Sequence, residues 1–498
     1  MPRFILSFLL SLAPALAESN SSFTLSFETP AVSLRAGGSA NAVLNLAVVS
    51  GFTQPIYLIA SSLPNGVTVA IPSPLVGTQA APLKISAAAS VNPQTLSVTI
   101  YASGGGENGS VNVSITVLPP GLVSASEVPS ASRWAGSWGA SAVTPSNESG
   151  AYYLTNVTVR QVAHLSIGTA TAVRLRLSNA LGKQQVSFGA VHLAQWAGKS
   201  AIIPETDRVV TFCGAATVSL PPGEEVLSDP VSLPLPAGAD VAVSLYIPKS
   251  SNVPATMHTF GNQTAYFSLG DATGHTALPG AVTDTVRPYL TGIDVDAPGA
   301  NAVVTLGDSL TDGMLSSLDQ NLRWPDDLAR RLANKVGVVN SGIAGNCVLI
   351  DCLGPNALAR FKRDVLQVAG VRYLIILEGV NDIGNAPDLT AAQLIEAYRQ
   401  MAALAHARNI LVFGATIPPF GGSQYATAAH ETLRRQVNTF IRAGGVFDGV
   451  IDFDKALADP ANASALLPAY DGDHIRPNDA GYQAMANAID LTLFSSSN

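Results

Sequence analysis

Two hydrophobic patterns divide the chain near residue 300. Before that point, short segments such as "NAVLNLAV" and "SVNVSITVL" alternate apolar and polar residues, and Gly, Pro, Ser and Asn separate them. Such alternation predicts half-buried β-strands joined by turns. We predict an immunoglobulin-like β-sandwich over 20–118, a linker over 119–131 and a second all-β sandwich over 132–296.

The pattern of hydrophobic residues changes after residue 300. Segments such as "AVVTLG" and "VRYLIILEG" are almost wholly apolar, as buried parallel strands are. Helical periodicity follows in "WPDDLARRLANK", "AAQLIEAYRQMAALAHA" and "ETLRRQVNTFIRA", and "DAGYQAMANAIDLTLF" predicts a final helix. Alternating strands and helices predict a doubly wound α/β domain over 300–494, with its site at the carboxyl ends of the strands.

The first residues, "MPRFILSFLLSLAPALA", have the form of a secretory signal. Arg3 supplies a positive charge, residues 4–12 are apolar but too short to span a bilayer, and small residues precede a cleavage site after Ala17. We predict a signal peptide over 1–17 and a secreted or periplasmic protein; a buried N-terminal helix is the alternative. No later segment has 18 uncharged apolar residues, so we expect no membrane partner.

Composition limits the possible partners. The chain has 498 residues, 47% of them hydrophobic and 12% charged, and a net charge of −8 without a basic run. This charge balance argues against binding of nucleic acid or of an anionic membrane.

Three cysteines bear on the fold and on metal binding. Cys347 and Cys352 could pair in an exported protein, which would leave Cys213 free and buried. Three unpaired thiols are the alternative. Their spacing does not supply the four ligands of a structural zinc site, and we expect no metal.

Residues near the ends of the predicted strands suit nucleophilic catalysis. Ser309 follows the first strand of the α/β region, and a serine becomes a nucleophile when a base removes its proton. His474, in "YDGDHIRPNDAGY", is the candidate base, and Asp471 or Asp473 would hold its tautomer.

An oxyanion site can be assembled from the same strand ends. The backbone N–H groups of Ser309 and Gly345 and the side-chain amide of Asn381 are the candidate donors. Glycine at position 345 would allow the backbone to approach a substrate closely. Each motif is weak alone, but their order along the chain, each at a strand end, favours a catalytic site.

These segments resemble the sequence blocks of the SGNH/GDSL hydrolases. The matching blocks are "GDSLTDG" with Ser309, "NSGIAGN" with Gly345, "GVND" with Asn381 and "DHIRPNDAGY", which begins at Asp473. The resemblance covers about 300–494 and is closest to secreted bacterial xylan or acyl-carbohydrate esterases, which also carry a preceding β-sandwich. It implies a flavodoxin-like hydrolase domain and a Ser-His-Asp esterase that needs neither metal nor cofactor.

The last block departs from the family pattern of Asp-x-x-His-Pro. On that frame Asp473 and Pro477 match, but Arg476 stands at the histidine position. A guanidinium stays protonated and cannot act as a base. In one interpretation His474, oriented by Asp471, replaces the missing histidine, and Arg476 contacts an anionic or sugar substrate. In the other, the site is inactive or hydrolyses slowly.

We therefore expect a secreted serine esterase that hydrolyses short acyl esters, with acetyl groups on plant polysaccharide as candidate substrates. The alternative is a carbohydrate- or surface-binding protein with a decayed hydrolase domain. Among the other histidines, His258 could also reach the cleft.

Overall fold

The structure is a computed structural model that describes residues 22–495 except 37, 50, 89–90, 92, 119–122, 125–132, 144–153, 170, 250–254 and 334. The predicted signal peptide and most of the predicted linker lie outside the described residues. The chain divides into two compact units, Met1–Leu122 and Val123–Asn498. The regions predicted as a second sandwich and as an α/β domain therefore belong to one compact unit.

The first unit consists of β-strands in its described residues. These are β1 (Phe23–Phe27), β2 (Ala31–Arg35), β3 (Ser39–Val48), β4 (Tyr57–Ala60), β5 (Val67–Ala70), β6 (Gln79–Ala87), β7 (Gln94–Gly104) and β8 (Glu107–Leu118). They form two four-stranded sheets, in the orders β1-β3-β6-β5 and β2-β8-β7-β4. Alternate residues of both sheets, including Leu44, Ile85, Ile100 and Ile115, are buried in one shared core. The immunoglobulin-like class of this unit stays a prediction.

The second unit begins with a β-rich region. Its strands are β9 (Val123–Ser124), β10 (Trp134–Gly139), β11 (Val157–His164), β12 (Ala172–Ser178), β13 (Val186–Phe188), β14 (Ala190–Gly198), β15 (Ala201–Ile202), β16 (Arg208–Val209), β17 (Val218–Leu220), β18 (Glu225–Leu227), β19 (Val231–Ser232), β20 (Asp240–Ile247), β21 (Met257–His258), β22 (Ala265–Leu269), β23 (Val282–Asp284), β24 (Arg287–Pro288) and β25 (Leu290–Asp296). A 3-10 turn spans Pro204–Thr206. One sheet contains β10-β25-β12-β18-β9 with β19 beside β12, and another contains β15-β14-β20-β11-β22-β23 with β16 beside β14. The pairs β13-β17 and β21-β24 are separate.

The rest of the second unit alternates strands and helices. Its strands are β26 (Asn301–Gly307), β27 (Val336–Gly342), β28 (Val371–Leu377), β29 (Leu411–Ala415), β30 (Gly449–Ile451), β31 (Ala458–Asp459) and β32 (Asn462–Leu466). Its α-helices are α1 (Ser309–Asp312), α2 (Trp324–Arg331), α3 (Ala357–Phe361), α4 (Val380–Asn385), α5 (Ala391–His406), α6 (Ala428–Ala443), α7 (Phe453–Leu457) and α8 (Asp479–Ala488). A π-helical turn, Lys362–Leu366, continues α3.

Five of these strands form a parallel sheet in the order β27-β26-β28-β29-β30. This is the strand order of flavodoxin-like doubly wound sheets, in which the chain reverses its direction of progress between the first and third strands. The switch point therefore lies between β26 and β28. Ser309 follows the first of these strands and Glu378 the second, so the topology places the predicted nucleophile where such sheets bind ligands.

The helices begin where the sequence supplies caps. Thr427 accepts a hydrogen bond from the His430 backbone N–H at the start of α6, as N-cap residues do. The final predicted helix is shorter than expected: α8 ends at Ala488, and a 3-10 turn, Leu491–Phe494, follows. The Asp490 side chain accepts the Thr492 N–H and starts this separate turn. No helix in the described part of the chain is long and apolar enough to cross a membrane.

Glycines allow strand β10 of the β-rich region to lie directly against β27 of the parallel sheet. A Cβ atom on Gly139 would meet the Val339 side chain at 2.5 Å, and one on Gly337 would overlap the Gly136 carbonyl oxygen. The Gly136 N–H also donates to the Ala369 carbonyl at 2.8 Å. The backbones of the two regions thus approach too closely for larger side chains.

We predict that Gly337→Ala destabilises the second unit by about 1–3 kcal/mol, because overpacking forces a backbone shift. Denaturant unfolding followed by fluorescence measures this change. Gly274→Ala is the control, since its Cβ atom would meet nothing nearer than 3.5 Å. Equal stabilities of the two variants would show that the backbones separate without cost.

Candidate active site

A sharp turn holds Ser309 at the carboxyl end of β26. Gly307 must lack a side chain there, because a Cβ atom would overlap the Thr311 hydroxyl. The Asp308 side chain accepts the Leu310 N–H at 2.9 Å and caps α1, so Ser309 is the first residue of the helix. Ser309 is 1% exposed. Its side chain therefore lies in a protected position beside the switch point.

Arg476 is the side chain that reaches Ser309. Its Nε atom donates to the Ser309 Oγ atom at 3.2 Å. Its guanidinium pairs with the Asp473 carboxylate, which also accepts the Arg476 backbone N–H at 2.8 Å. Asp473, Arg476 and Ser309 thus form a chain of hydrogen bonds in which the middle group is a permanent cation. The arrangement can stabilise negative charge on Oγ but cannot take its proton.

His474 pairs with the other aspartate of the loop. Its Nδ1 atom lies 2.6 Å from the Asp471 Oδ2 atom, and its backbone N–H donates to Asp471 Oδ1, also at 2.6 Å. The His474 side chain is 58% exposed, and its φ angle of +69° is in the left-handed region. Within the described residues no hydrogen bond joins His474 to Ser309. The structure therefore brings together the predicted pair Asp471–His474, while the role of His474 as base stays a prediction.

The two other candidate oxyanion donors lie on a loop and on a helix, α4, that touch each other. Gly345 has a φ angle of +77°, and a Cβ atom there would meet Leu353 at 2.6 Å. Asn381, on α4, is 5% exposed and donates from Nδ2 to the Asn346 carbonyl at 2.9 Å. Its Oδ1 atom accepts the Tyr425 hydroxyl at 3.3 Å. One N–H of the Asn381 amide thus fixes the Asn346 segment, and the second donates no hydrogen bond among the described residues.

The backbone N–H groups of Ser309 and Gly345 donate no hydrogen bond within the described part of the chain. A backbone donor that is not used by the fold is what an oxyanion site needs. The predicted donors therefore remain available for such a role.

Three buried carboxyl groups, those of Asp308, Glu378 and Asp382, lie behind Ser309. Burial raises the pKa of Asp308 to about 7, against the effects of the Leu310 N–H and the Arg476 charge. Burial and the Asp308 charge raise the pKa of Glu378 well above its usual value. Burial also raises the pKa of Asp382, although two backbone N–H groups bind it. These carboxyl groups therefore resist ionisation, because desolvation disfavours their charged form.

Arg360 supplies the positive charge of this cluster. Its side chain is fully buried, and it contacts the Glu378 and Asp364 carboxyl groups. It also donates to the Gly307 carbonyl at 3.0 Å, the Ser341 carbonyl at 2.7 Å, the Asn346 side chain at 2.9 Å and, at 3.4 Å, the Ser141 hydroxyl. Arg360 thus joins the ends of β26, β27 and β28.

No sequence pattern considered above singles out Arg360 or Asp312. Asp312 accepts hydrogen bonds from the His258 ring and the Ala344 N–H. Asp312 lies inside the block "GDSLTDG", which is the signal that could have identified it, whereas Arg360 lies outside the four matching blocks. No group of three or more His, Cys, Asp or Glu side chains among the described residues is placed to hold a metal ion.

A disulfide joins Cys347 and Cys352 directly after the Gly345 loop. The Asn346 side chain donates to the Leu353 carbonyl at 2.8 Å and so ties the two ends of this small ring together. Cys213, which we expected to be buried, is exposed instead, because it lies on a surface turn.

Comparison with known proteins identifies the class of this domain. Residues 305–484 match the model of the GDSL-like lipase/acylhydrolase family. The chain therefore contains a GDSL-like hydrolase domain at the carboxyl side of a largely β region. The narrower resemblance to xylan and acyl-carbohydrate esterases stays a prediction. No curated protein matches the chain.

Solved structures give weaker likenesses. A putative acylhydrolase from Bacteroides fragilis is 22% identical, covers 39% of this chain and 86% of its own, and has a TM-score of 0.31. A GDSL-like lipase from Bacteroides thetaiotaomicron is 20% identical over 39% of this chain and 88% of its own, with the same TM-score of 0.31. Domains 4 and 5 of the S-layer protein SbsC are 19% identical over 19% of this chain and 50% of their own, with a TM-score of 0.15. These TM-scores are too low to establish a shared fold, so the assignment of the domain depends on the family match.

We predict that peptide mapping of unreduced protein by mass spectrometry finds Cys347 and Cys352 in one linked pair, which separates on reduction. The exposed Cys213 is the control, because it should react with a thiol reagent without prior reduction. Free thiols at both 347 and 352 would contradict the bridge.

Proposed function

We propose that the protein is an exported serine esterase that hydrolyses short acyl esters, with acetyl groups on plant polysaccharide as the candidate substrates. The observation that carries the proposal is the placement of Ser309: it follows β26 at the switch point of the parallel sheet, within a domain that matches a family of acylhydrolases. Secretion is proposed from the signal-like first residues.

In this proposal the Ser309 Oγ atom attacks the ester carbonyl and an acyl-enzyme forms as the bond to the alcohol breaks. The Ser309 and Gly345 N–H groups and the second N–H of Asn381 stabilise the oxyanion. Arg476 adds positive charge at Oγ, which favours the deprotonated serine. Water then hydrolyses the acyl-enzyme.

The serine proton requires a separate acceptor. Asp471 lies at Nδ1 of His474, so this nitrogen carries the hydrogen and Nε2 is left as the acceptor. We assign the base role to His474 on this ground. Because its ring does not bond to Ser309, the proton passes through an intervening water or after movement of the loop. The alcohol leaves with that proton.

A second candidate function is ligand binding without turnover. The observation that favours it is the Asp473–Arg476 pair, which holds the Ser309 hydroxyl from the position where the family has its base. A carbohydrate- or surface-binding protein could retain such a site after losing catalysis.

We predict that the wild-type protein hydrolyses p-nitrophenyl acetate and that Ser309→Ala removes this activity. Asn381→Ala should lower kcat by roughly 10²–10³-fold, because one preorganised oxyanion donor is worth that much. Asn487→Ala, on the exposed face of α8, is the matched control and should keep full activity. Absence of turnover in the wild type, with polysaccharide binding retained, would favour the second function.

A separate pair of variants tests the base. If His474 accepts the proton, His474→Ala should reduce kcat nearly as far as Ser309→Ala does, because members of a catalytic unit fail together. Asp471→Asn should then cost more than Asp473→Asn. The matched control is His406→Ala, which removes another surface His–Asp pair, with Asp448 at 2.8 Å.

The opposite result would assign the base to position 476. If Arg476→His raises kcat while His474→Ala changes little, Asp473 and position 476 form the working pair, and the assignment of His474 is wrong. Both variants should keep the melting temperature within a few degrees of wild type, since each replaces a partly exposed loop side chain.

A further inference from the structure

A histidine of the β-rich region forms a hydrogen bond with α1, the short helix that begins with Ser309. His258, on β21, is 5% exposed. Its Nε2 atom lies 3.0 Å from the Asp312 Oδ1 atom, and its Nδ1 atom lies 2.8 Å from the Ser141 carbonyl oxygen. Asp312 is the last residue of α1, three residues after Ser309. The ring therefore connects the β-rich region to the helix that carries the nucleophile.

Both bonds of His258 require the ring to donate. A carbonyl oxygen and a carboxylate are acceptors, and a neutral imidazole has a single N–H. The two bonds can therefore coexist only when the ring carries a positive charge. Burial alone would lower the pKa of His258, but the Asp312 charge and the bonds to Asp312 and Ser141 outweigh it, so the pKa is raised.

Other charged groups surround this ring. Arg287, which pairs with His258 across β21 and β24, repels the positive charge. Arg323, Asp326 and His164 line the same cavity between the two regions. Asp326 forms a salt bridge with Arg323 at 3.0 Å. Asp312 is therefore the carboxylate that directly neutralises the positive charge of His258.

The Asp312 carboxylate also binds the loop that carries Gly345. The Asp312 Oδ2 atom accepts the Ala344 backbone N–H at 2.8 Å. The next residue is Gly345, whose own N–H is a proposed oxyanion donor. Asp312 is also fixed through its backbone N–H, which donates to the Asp308 carbonyl at 2.9 Å. One carboxylate thus sets the distance between α1 and the Gly345 loop.

We propose that His258 is a positioning residue for the esterase site: as a cation it fixes Asp312, and Asp312 aims the Gly345 N–H at the carbonyl bound next to Ser309. The catalytic part of this inference rests on the proposed function. In this proposal the β-rich region contributes a residue to the esterase site, because His258 lies on β21 and not in the α/β part of the unit.

Kinetics of His258→Gln test the catalytic part. Because small displacements of a reacting group reduce rates steeply, we expect kcat to fall by roughly tenfold to hundredfold with little change in KM. His192→Gln is the matched control: it removes a His–Asp pair that lies within the β-rich region and is partly buried, with Asp207 at 2.9 Å, and it should keep wild-type kcat. Equal kcat values for the two variants would overturn the proposal.

Amide hydrogen exchange tests the positioning without any need for turnover. At pH 6, peptides covering 341–346 should exchange faster, relative to their intrinsic rate, in His258→Gln and in Asp312→Asn than in wild type. Because the pKa of His258 is raised in the folded chain, its stabilisation is complete below the unfolded pKa of about 6.5 and is lost as the pH rises through the folded pKa. The difference between wild type and His258→Gln should therefore narrow at alkaline pH.

If a variant does not fold, the wild-type protein alone still tests the proposal: protection of 341–346 should decline as the pH rises from 6 through the pKa at which the folded His258 ring loses its proton, while that of the β11–β20 pair should not. Protection of 341–346 that stays constant while this ring loses its proton, or equal protection of wild type and His258→Gln at pH 6, would refute the positioning. If the wild type hydrolyses no ester but shows the expected exchange, the esterase proposal fails and the structural role of His258 stands.

Discussion

A single buried guanidinium holds the three strand ends on which the site is built. Arg360 donates to the carbonyl of Gly307 on β26 and of Ser341 on β27, and its charge faces Glu378 after β28. These three strands are adjacent in the sheet. The Ser309 turn, the Gly345 loop and helix α4, which carries Asn381, all start within a few residues of these contacts. Removing the cation would leave the buried Glu378 carboxyl group without its charged partner, and breaking a buried ion pair costs about 3–5 kcal/mol in known cases.

Burial disfavours simultaneous ionisation of the carboxyl groups around Arg360. Asp308 and Glu378 each keep one buried oxygen without a hydrogen-bond partner among the described residues, and the pKa of each is raised, by burial first. A proton retained on this pair removes one negative charge from the cluster. It also limits the repulsion that a developing negative charge at the Ser309 Oγ atom would meet.

The sequence was informative where local patterns determine structure. Apolar strands and the residues after them placed Ser309, Gly345 and Asn381 at one edge of a parallel sheet, because carboxyl ends of parallel strands converge. The partners of Arg360 and His258 could not be predicted in this way: His258 and Asp312 are 54 residues apart and come from different regions of the fold. The break after α8 was also missed, because the Asp490 cap competes locally with helical periodicity.

The loop after β32 shows why the choice between His474 and Arg476 depends on backbone register. Asp471–His474 and Asp473–Arg476 repeat one arrangement, a carboxylate bonded to a side chain three residues later. The Gly472 N–H donates to the Arg476 carbonyl at 2.9 Å, and Asp471 pairs with Pro477, so the loop is closed in this register. A slip by two residues would bring His474 to the place of Arg476 but would break both closures. The loop therefore presents the arginine to Ser309 and the histidine to solvent, and any proton transfer to His474 must start from that arrangement.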